Sequence, residues 1–413
     1  MTEHTNTPEL RFPGFKDEWK LQKLGNLAQF SKGKSLSKKD LNINGNPCIL
    51  YGELYTKYGA ILNKVYSKTS TQNDSLVFSK RNQILIPSSG ETDIDIATAT
   101  AIDTDVKIAI GGDLNIITPI NSDGRFISLY INGKGKYNLA KYAQGKSVVH
   151  LYNSDIKKLN FYLPTNMAEQ KKIGDFFSKL DQQIELEEKK LELLEQQKRG
   201  YMQKIFSQEV RFKDDNGNSY PEWESAPLFD IFSATKGKSL SKDKISDDGK
   251  YECILYGEIY TTYAEKIESI VSRTNYYEGI LSQKNDLIFP NSTTTNAWDL
   301  ATFSSLQRNN VLIGGDISIL RTKRSDISSL FYAYYLTNYL KLRKDIAKYA
   351  QGITIVHLSF NNFCKIKVQI PSLEEQNSIT DFIDSLNQQQ KLITNKIKLL
   401  KERKKGFLQK MFV

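Results

Sequence analysis

The stretch CILYGELYT (residues 48–56) is written a second time as CILYGEIYT (residues 253–261). Working outward, KGKSLSK (32–38) precedes the first copy and returns as 236–242 before the second. Downstream, GGD at 111–113 recurs at 314–316, and KYAQGKSVVHL (141–151) recurs as KYAQGITIVHL (348–358). EQKKIGDFFSKL (169–180) returns as EQNSITDFIDSL (375–386), and KRGYMQKIF (198–206) as KKGFLQKMF (404–412). The offset between copies stays between 203 and 207 residues, so the chain is one tandem duplication with small insertions. The copies diverge unevenly. Residues 57–66 and 89–107 have little likeness to 262–273 and 292–310, while the flanking blocks nearly repeat. One scaffold therefore presents two sets of loop residues, as a reader of two unlike half-sites requires.

Each half follows one plan. About 165 residues rich in Tyr, Ile, Val and Thr, punctuated by Gly and Pro, read as β-rich with some helix. Residues 329–350 read as a helical pair, and Pro164 and Pro371 close the globular parts. A charged, Leu- and Gln-rich segment follows each. The expected division is a recognition domain over 1–165, a helix over 166–206, a second recognition domain over 207–371 and a closing helix over 372–413.

The helical segments carry heptads. In the first, Phe177, Ile184, Leu191, Lys198 and Ile205 take the a positions and Ile173, Leu180, Glu187, Leu194 and Tyr201 the d positions. In the second, a falls on Ile383, Gln390, Ile397, Lys404 and Met411, and d on Ile379, Leu386, Ile393, Leu400 and Phe407. Such a repeat predicts coiled-coil pairing of two rods about 60 Å long. Lys198 and Lys404 interrupt the apolar seam at matching places, where they fix register or face a partner. The predicted class is α+β: two tandem domains, β-rich with helices, separated and followed by long helices, paired antiparallel with pseudo-two-fold symmetry. That symmetry imitates a DNA-binding dimer, whose half-sites lie about 34–36 Å apart.

The chain's 413 residues exceed one ordinary core, and 57 Lys and Arg against 47 Asp and Glu leave a formal charge of +10. That surplus favours a polyanionic partner. The N-terminal stretch lacks a signal-peptide pattern and no run matches a membrane span, so a cytoplasmic protein without a membrane partner is expected. Cys48, Cys253 and Cys364 lie far apart and predict neither disulfides nor a metal site. Each of the three GKS triplets lacks the earlier glycine of a P-loop, the place being held by Ala28, Ala140 or Phe232. No methyl-donor loop or Asp/Asn-Pro-Pro-Tyr/Phe motif occurs, and Glu91, Asp93 and Asp95 read as a polar loop rather than a nuclease site. No catalytic residue and no bound cofactor is expected in this chain.

The candidate DNA contacts fall into three groups per half. Lys32, Lys34, Ser35 and Lys38, with Lys236, Lys238, Ser239 and Lys242, form basic loops suited to phosphate, and Lys146 adds a third GKS lysine. Tyr51, Glu53, Tyr55, Thr56 and Lys57, with Tyr256, Glu258, Tyr260 and Thr261, are read at strand ends. There Glu could accept from cytosine and Thr could meet a thymine methyl, although core packing accounts for the tyrosines equally well. The turns Ser88, Ser89, Gly90 and Asn291, Ser292, Thr293, Thr294 follow apolar strands and differ between copies. His150 and His357 read as packed or capping residues.

In these features the sequence resembles the specificity subunits of type I restriction-modification enzymes over nearly its whole length. The resemblance rests on the repeat, the YGE strand after a GKS loop, the AQG…VHL passage and the LP…EQ…I…F…LD passage. The last reads Leu163-Pro164, Glu169-Gln170, Ile173, Phe176, Leu180-Asp181, and then Ile370-Pro371, Glu375-Gln376, Ile379, Phe382, Leu386-Asn387, with Asn where Asp is usual. The resemblance implies a non-catalytic subunit whose domains read the two parts of a split target on double-stranded DNA, the helices setting the spacer. It implies assembly with two modification subunits, which bind S-adenosylmethionine, and with restriction subunits that use ATP and Mg. Glu169, Gln170, Lys198, Glu375, Gln376 and Lys404 are the expected docking residues. Two other classes stay open: a fused or stand-alone DNA-modifying enzyme, and a coiled-coil scaffold that reads no DNA.

Overall fold

In the computed structural model, which describes residues 6–72 and 74–413, the apolar runs that follow the YGE blocks form buried central strands. The chain divides into two units, Met1–Lys190 with Ile393–Val413, and Leu191–Leu392. The boundary falls inside each long helix, so each unit holds one globular part and segments of both helices.

In the first unit the central sheet runs in the order Ala28–Lys32, Leu114–Pro119, Ile84–Pro87, Thr100–Ala101, all antiparallel. Side chains alternate along a strand, and both faces of this sheet are covered. Ile84, Ile86 and Ile117 point into one core, while Leu85, Leu114 and Ile116 point into another. The second unit repeats the arrangement with Phe232–Lys236, Ile317–Thr322, Asp286–Pro290 and Ser304–Leu306, and adds Lys266–Ile267 in parallel at the edge. There Leu287, Phe289 and Leu320 face one core, and Ile288, Ile317 and Ile319 the other. A smaller sheet has one order in both units: Ser67–Thr69, Leu41–Ile49, Ala109–Ile110, Val77–Phe78, and Ser272–Thr274, Tyr251–Ile254, Leu312–Ile313, Ile280–Leu281. Residues 329–350 form the expected pair of helices, Ser329–Asn338 and Leu340–Ala347.

The long helices span Met167–Phe206 and Leu373–Lys410. In the first unit Leu180, Ile184 and Leu400 pack together beside Phe407. Glu187 pairs with Lys396, Glu188 with Lys401 and Asp181 with Lys404. Phe176 meets Phe407 edge-on at 5.1 Å. Position numbers rise in one helix as they fall in the other, so the segments run antiparallel. In the second unit Lys198 donates to Asn387, and Tyr201 meets Phe382 at 5.5 Å in the same sense. The seam residues Phe177, Ile383, Leu386, Ile393 and Ile397 are buried, while Leu191 and Leu194 are half-buried. The two seam lysines are thus spent on Asp181 and Asn387, the last residues of the LD and LN passages, and act in register rather than as free docking charges.

Glu169, Gln170, Glu375 and Gln376 also stand elsewhere than expected. All four are buried, at 2% exposure or less, and tie each helix start to its own domain. Arg11 grips Glu169 with two hydrogen bonds of 2.6 and 2.8 Å. Arg211 grips Glu375 at 3.2 and 2.9 Å, and Trp223 Nε1 adds a third donor at 2.8 Å. Gln170 donates to the Pro164 carbonyl and accepts from the Asp123 N–H; Gln376 donates to the Pro371 carbonyl and accepts from the Ser328 N–H. The Glu-Gln motif is an internal clasp, because a buried carboxylate persists only with its charge paired. Replacing Glu375 by Ala strands a half-enclosed Arg211, and denaturant titration is expected to show a loss of about 3 kcal/mol.

Candidate nucleic-acid interface

The repeated blocks meet at one end of each central sheet. The strand Ala28–Lys32 ends there, Leu114–Pro119 begins there and Ile84–Pro87 ends there, with Asn115 opposite Lys32 and Leu114 opposite Pro87. The KGKS loop then crosses the GGD turn so closely that a Cβ on Gly33 would stand 2.0 Å from the Gly111 carbonyl oxygen. On Gly237 it would stand 2.1 Å from that of Gly314. The crossing is fastened by Gly33 N–H to Leu114 and Lys34 N–H to Ile110, and by Gly237 N–H to Ile317 and Lys238 N–H to Ile313. Ser35 and Ser239 follow with φ of 56° and 54°, which turns the chain sharply outward. Lys32, Lys34, Ser35 and Lys38 are all exposed, as are Lys236, Lys238, Ser239 and Lys242. The glycines are there for close backbone approach, and the approach raises the lysines on a rigid rim.

The YGE blocks depart from expectation. They open short helices, Tyr51–Thr56 and Tyr256–Thr261, rather than ending strands. Glu53 is the reason: its carboxylate reaches back to accept the Leu50 N–H at 3.1 Å, the acidic half of a capping box. Its other oxygen takes Ser67 Oγ and Lys57 Nζ, the latter at 2.9 Å. Glu258 accepts from the Leu255 N–H at 2.9 Å and from Ser272 Oγ. Glu53 is buried with both oxygens engaged and is not a base reader, and the Lys57 charge is partly spent on it, whereas Glu258 is half-buried and lines an open cleft. The neighbouring positions are free to act. Tyr51 and Thr56 are exposed in the first unit and Thr261 in the second, with Tyr55, Tyr256 and Tyr260 half-buried. Burial, with the charges of Glu91 and Asp95 nearby, pushes the Tyr55 hydroxyl above its ordinary value and keeps it a donor.

The divergent turns are likewise split by depth. Ser88, Gly90, Asn291, Ser292 and Thr293 are buried, because the turns pair with the AQG…VHL passages. Ser89 stands opposite His150 and Gly90 opposite Val149; Ser292 stands opposite His357 and Thr293 opposite Val356. These pairings hold the rim together, and Asn291 also lines an open cleft beside Lys236. Ser89 and Thr294 keep access to solvent, and so does Lys146. His150 Nδ1 lies 3.4 Å from Ser89 Oγ, a packed role for that histidine.

In the second unit an open cleft of about 1090 Å³ lies between these parts, lined by Ser239, Lys242, Tyr256, Tyr260, Thr261 and Asp316. Tyr260 accepts from Thr293 Oγ1 at 3.2 Å, which joins the helix to the divergent turn. Lysines, hydroxyls and tyrosines along an open cleft of this kind suit a long polyanion better than a small substrate. Cys48 and Cys253 are buried, and burial pushes their thiols up to about 11, which argues against a nucleophile. What the sequence did not single out, beyond Lys146 in the first copy, is the tip of the second AQG…VHL passage, where Ile353 is fully exposed. The signal was present in the contrast between KSV and ITI inside an otherwise matching block.

Two domains of one plan, each with a basic rim, define a duplicated recognition protein. The model of the family described as the type I restriction modification DNA specificity domain matches residues 16–196 and again 220–402. The chain belongs to that family and carries two such domains. It is similar to the type I restriction enzyme MjaVIII specificity subunit of Methanocaldococcus jannaschii, 22% identical over 92% of this chain and 87% of that one. A putative MjaX specificity subunit of the same organism is 24% identical over 60% of this chain and 57% of its own length. Among solved structures, a type I restriction-modification S subunit from M. genitalium superposes with a TM-score of 0.58 at 17% identity, covering 98% and 99% of the two chains. A chain from a study of type I assembly and conformational transition gives 0.57 at 13% identity, covering 97% and 98%. Both establish likeness of fold.

If Glu53 is a cap rather than a reader, Glu53→Ala should lower stability by about 1–2 kcal/mol in thermal unfolding. The methylated motif of the assembled enzyme should stay unchanged.

Proposed function

We propose that the chain reads DNA as the non-catalytic specificity subunit of a type I restriction-modification complex, each domain recognising one half of a bipartite duplex target. The observation that carries the reading is the rim of exposed lysines, built on one backbone plan in both units with different side chains at its turns. A constant grip with variable loops separates affinity, supplied by phosphate contact, from sequence choice, supplied at base edges. Two copies in one chain allow two unlike half-sites, which identical subunits could not read.

In this reading the paired helices set the spacer and offer the docking surface for two modification subunits, and restriction subunits join that assembly. The reaction chemistry belongs to those partners: S-adenosylmethionine on the modification subunits, ATP and Mg on the restriction subunits, and no cofactor or metal on this chain. The complex works on DNA in the cytoplasm. No described helix is long and apolar enough to cross a membrane.

Exchanging residues 1–165 for the corresponding part of another specificity subunit should change one half of the methylated sequence, as read by mapping methylated adenines. A change in both halves, or in neither, removes the modular reading. Lengthening both helices by matched insertions between Glu185 and Gln197 and at the facing part of the second helix should lengthen the spacer while both half-sites persist. An unchanged spacer would show that the helices do not set it.

A further inference from the structure

The AQG…VHL passage forms a small clamped hairpin in each unit. In the first, Gln144 and His150 exchange backbone hydrogen bonds of 2.9 and 2.7 Å; in the second, Gln351 and His357 do so at 2.9 and 2.7 Å. Gly145 and Gly352 stand just inside the clamp with φ of 124° and 121°. A Cβ on either would stand 2.1 or 2.0 Å from the carbonyl oxygen of Val148 or Ile355. The backbone is therefore the same in both copies, and glycine is required at that place. Behind the clamp, each hairpin is laddered onto the divergent turn of its own domain.

Only the tip differs. The first unit carries Lys146, Ser147 and Val148, and the second carries Ile353, Thr354 and Ile355. Ile353 is 100% exposed and Ile355 49%. A single exposed aliphatic residue is ordinary on a protein surface. This one sits on a clamped loop beside the lysine rim: a cleft of about 370 Å³ is lined jointly by Lys236, Asn291, Gln351 and His357. In the first unit, Lys32 Nζ lies 5.7 Å from the Tyr152 ring, which in turn stacks on His150 at 6.2 Å. A polyanion seated on the rim thus passes the hairpin. The apolar groups that duplex DNA offers there are the thymine 5-methyl groups of the major groove, the one apolar mark on a base edge.

We propose that the hairpin tip is a specificity determinant, with Ile353 and Ile355 packing against thymine methyl groups in the half-site read by the second domain. In the first domain, Lys146 at the same place meets phosphate instead. This rests on the DNA-reading function proposed above.

The test uses the chain assembled with its modification subunits, once domain exchange has assigned each half-site. Duplexes are made with single thymines replaced by deoxyuridine, which removes the methyl and nothing else. At one or two positions in the second domain's half-site, affinity should fall about three- to tenfold. The double variant Ile353→Ala/Ile355→Ala should bind thymine and deoxyuridine duplexes alike, with its salt dependence unchanged. Lys146→Ala should instead lower the slope of log K against log salt by about one, with no new uracil sensitivity. Salt-dependent binding that tolerates uracil at every position, or a half-site without any A·T pair, overturns the tip contact and leaves the DNA reading standing. Absence of any salt-dependent duplex binding overturns both.

Discussion

Each unit's core is finished by a helix end that the other copy of the repeat encodes. In the first unit, Met411 and Phe412 lie against Trp19 and Phe126, with Phe412 and Phe126 ring centroids 5.1 Å apart. In the second, Ile205 and Phe206 lie among Trp223, Phe331 and Tyr335, with Phe206 and Tyr335 also 5.1 Å apart. Burying one such aromatic contributes about 2–3 kcal/mol, a large share of a domain's net stability. A half-chain lacking its neighbour's helix end would expose that aromatic pocket to water. The duplication is therefore a folding requirement as well as a recognition device: neither globular part closes on its own sequence alone.

From that constraint the roles of the helix residues follow. The start of each long helix must be held to its own domain while the other helix is received beside it. The Glu-Gln clasp does the first job, with an arginine supplied from the irregular segment ahead of each domain's first strand. The seam does the second, and the contacts of its two matching lysines, Lys404 with Asp181 and Lys198 with Asn387, fix register. A slipped pairing would leave a half-buried lysine without its acceptor, which disfavours other registers. Asn387 in place of an acid keeps the hydrogen bond and gives up the charge, so the two seams need not be equally strong.

The large features were legible because they rest on periodicity and repetition. Heptad spacing marked the seam, and the repeat itself marked which blocks are scaffold. Depth was not legible. Glu53 looks like a polar reader in a string of letters, yet it is buried and consumed by a backbone N–H three residues back and a serine fourteen residues on. Glu169 and Glu375 look like docking charges for the same reason, since their arginine partners lie 158 and 164 positions earlier. Pairing across such distances is set by tertiary folding, and no local pattern announces it. The YGE helices were missed because a four-residue apolar run followed by a turn fits strand and helix equally until the cap is seen.

The rigidity of the rim bears directly on discrimination. A flexible loop of lysines would bind any duplex, because phosphate contacts adapt at little cost and carry no sequence information. Selectivity requires that a mismatched base cannot be met by moving the reader. The KGKS crossing, the double-bonded hairpin and the buried turn residues remove that freedom before DNA arrives, so little conformational entropy remains to be lost on the correct target. The buried serines and threonines of the turns act here through the backbone, deciding where the exposed side chains beside them stand. The divergence between copies extends beneath the surface as well as across it, and a change at a buried turn position would alter sequence preference through geometry.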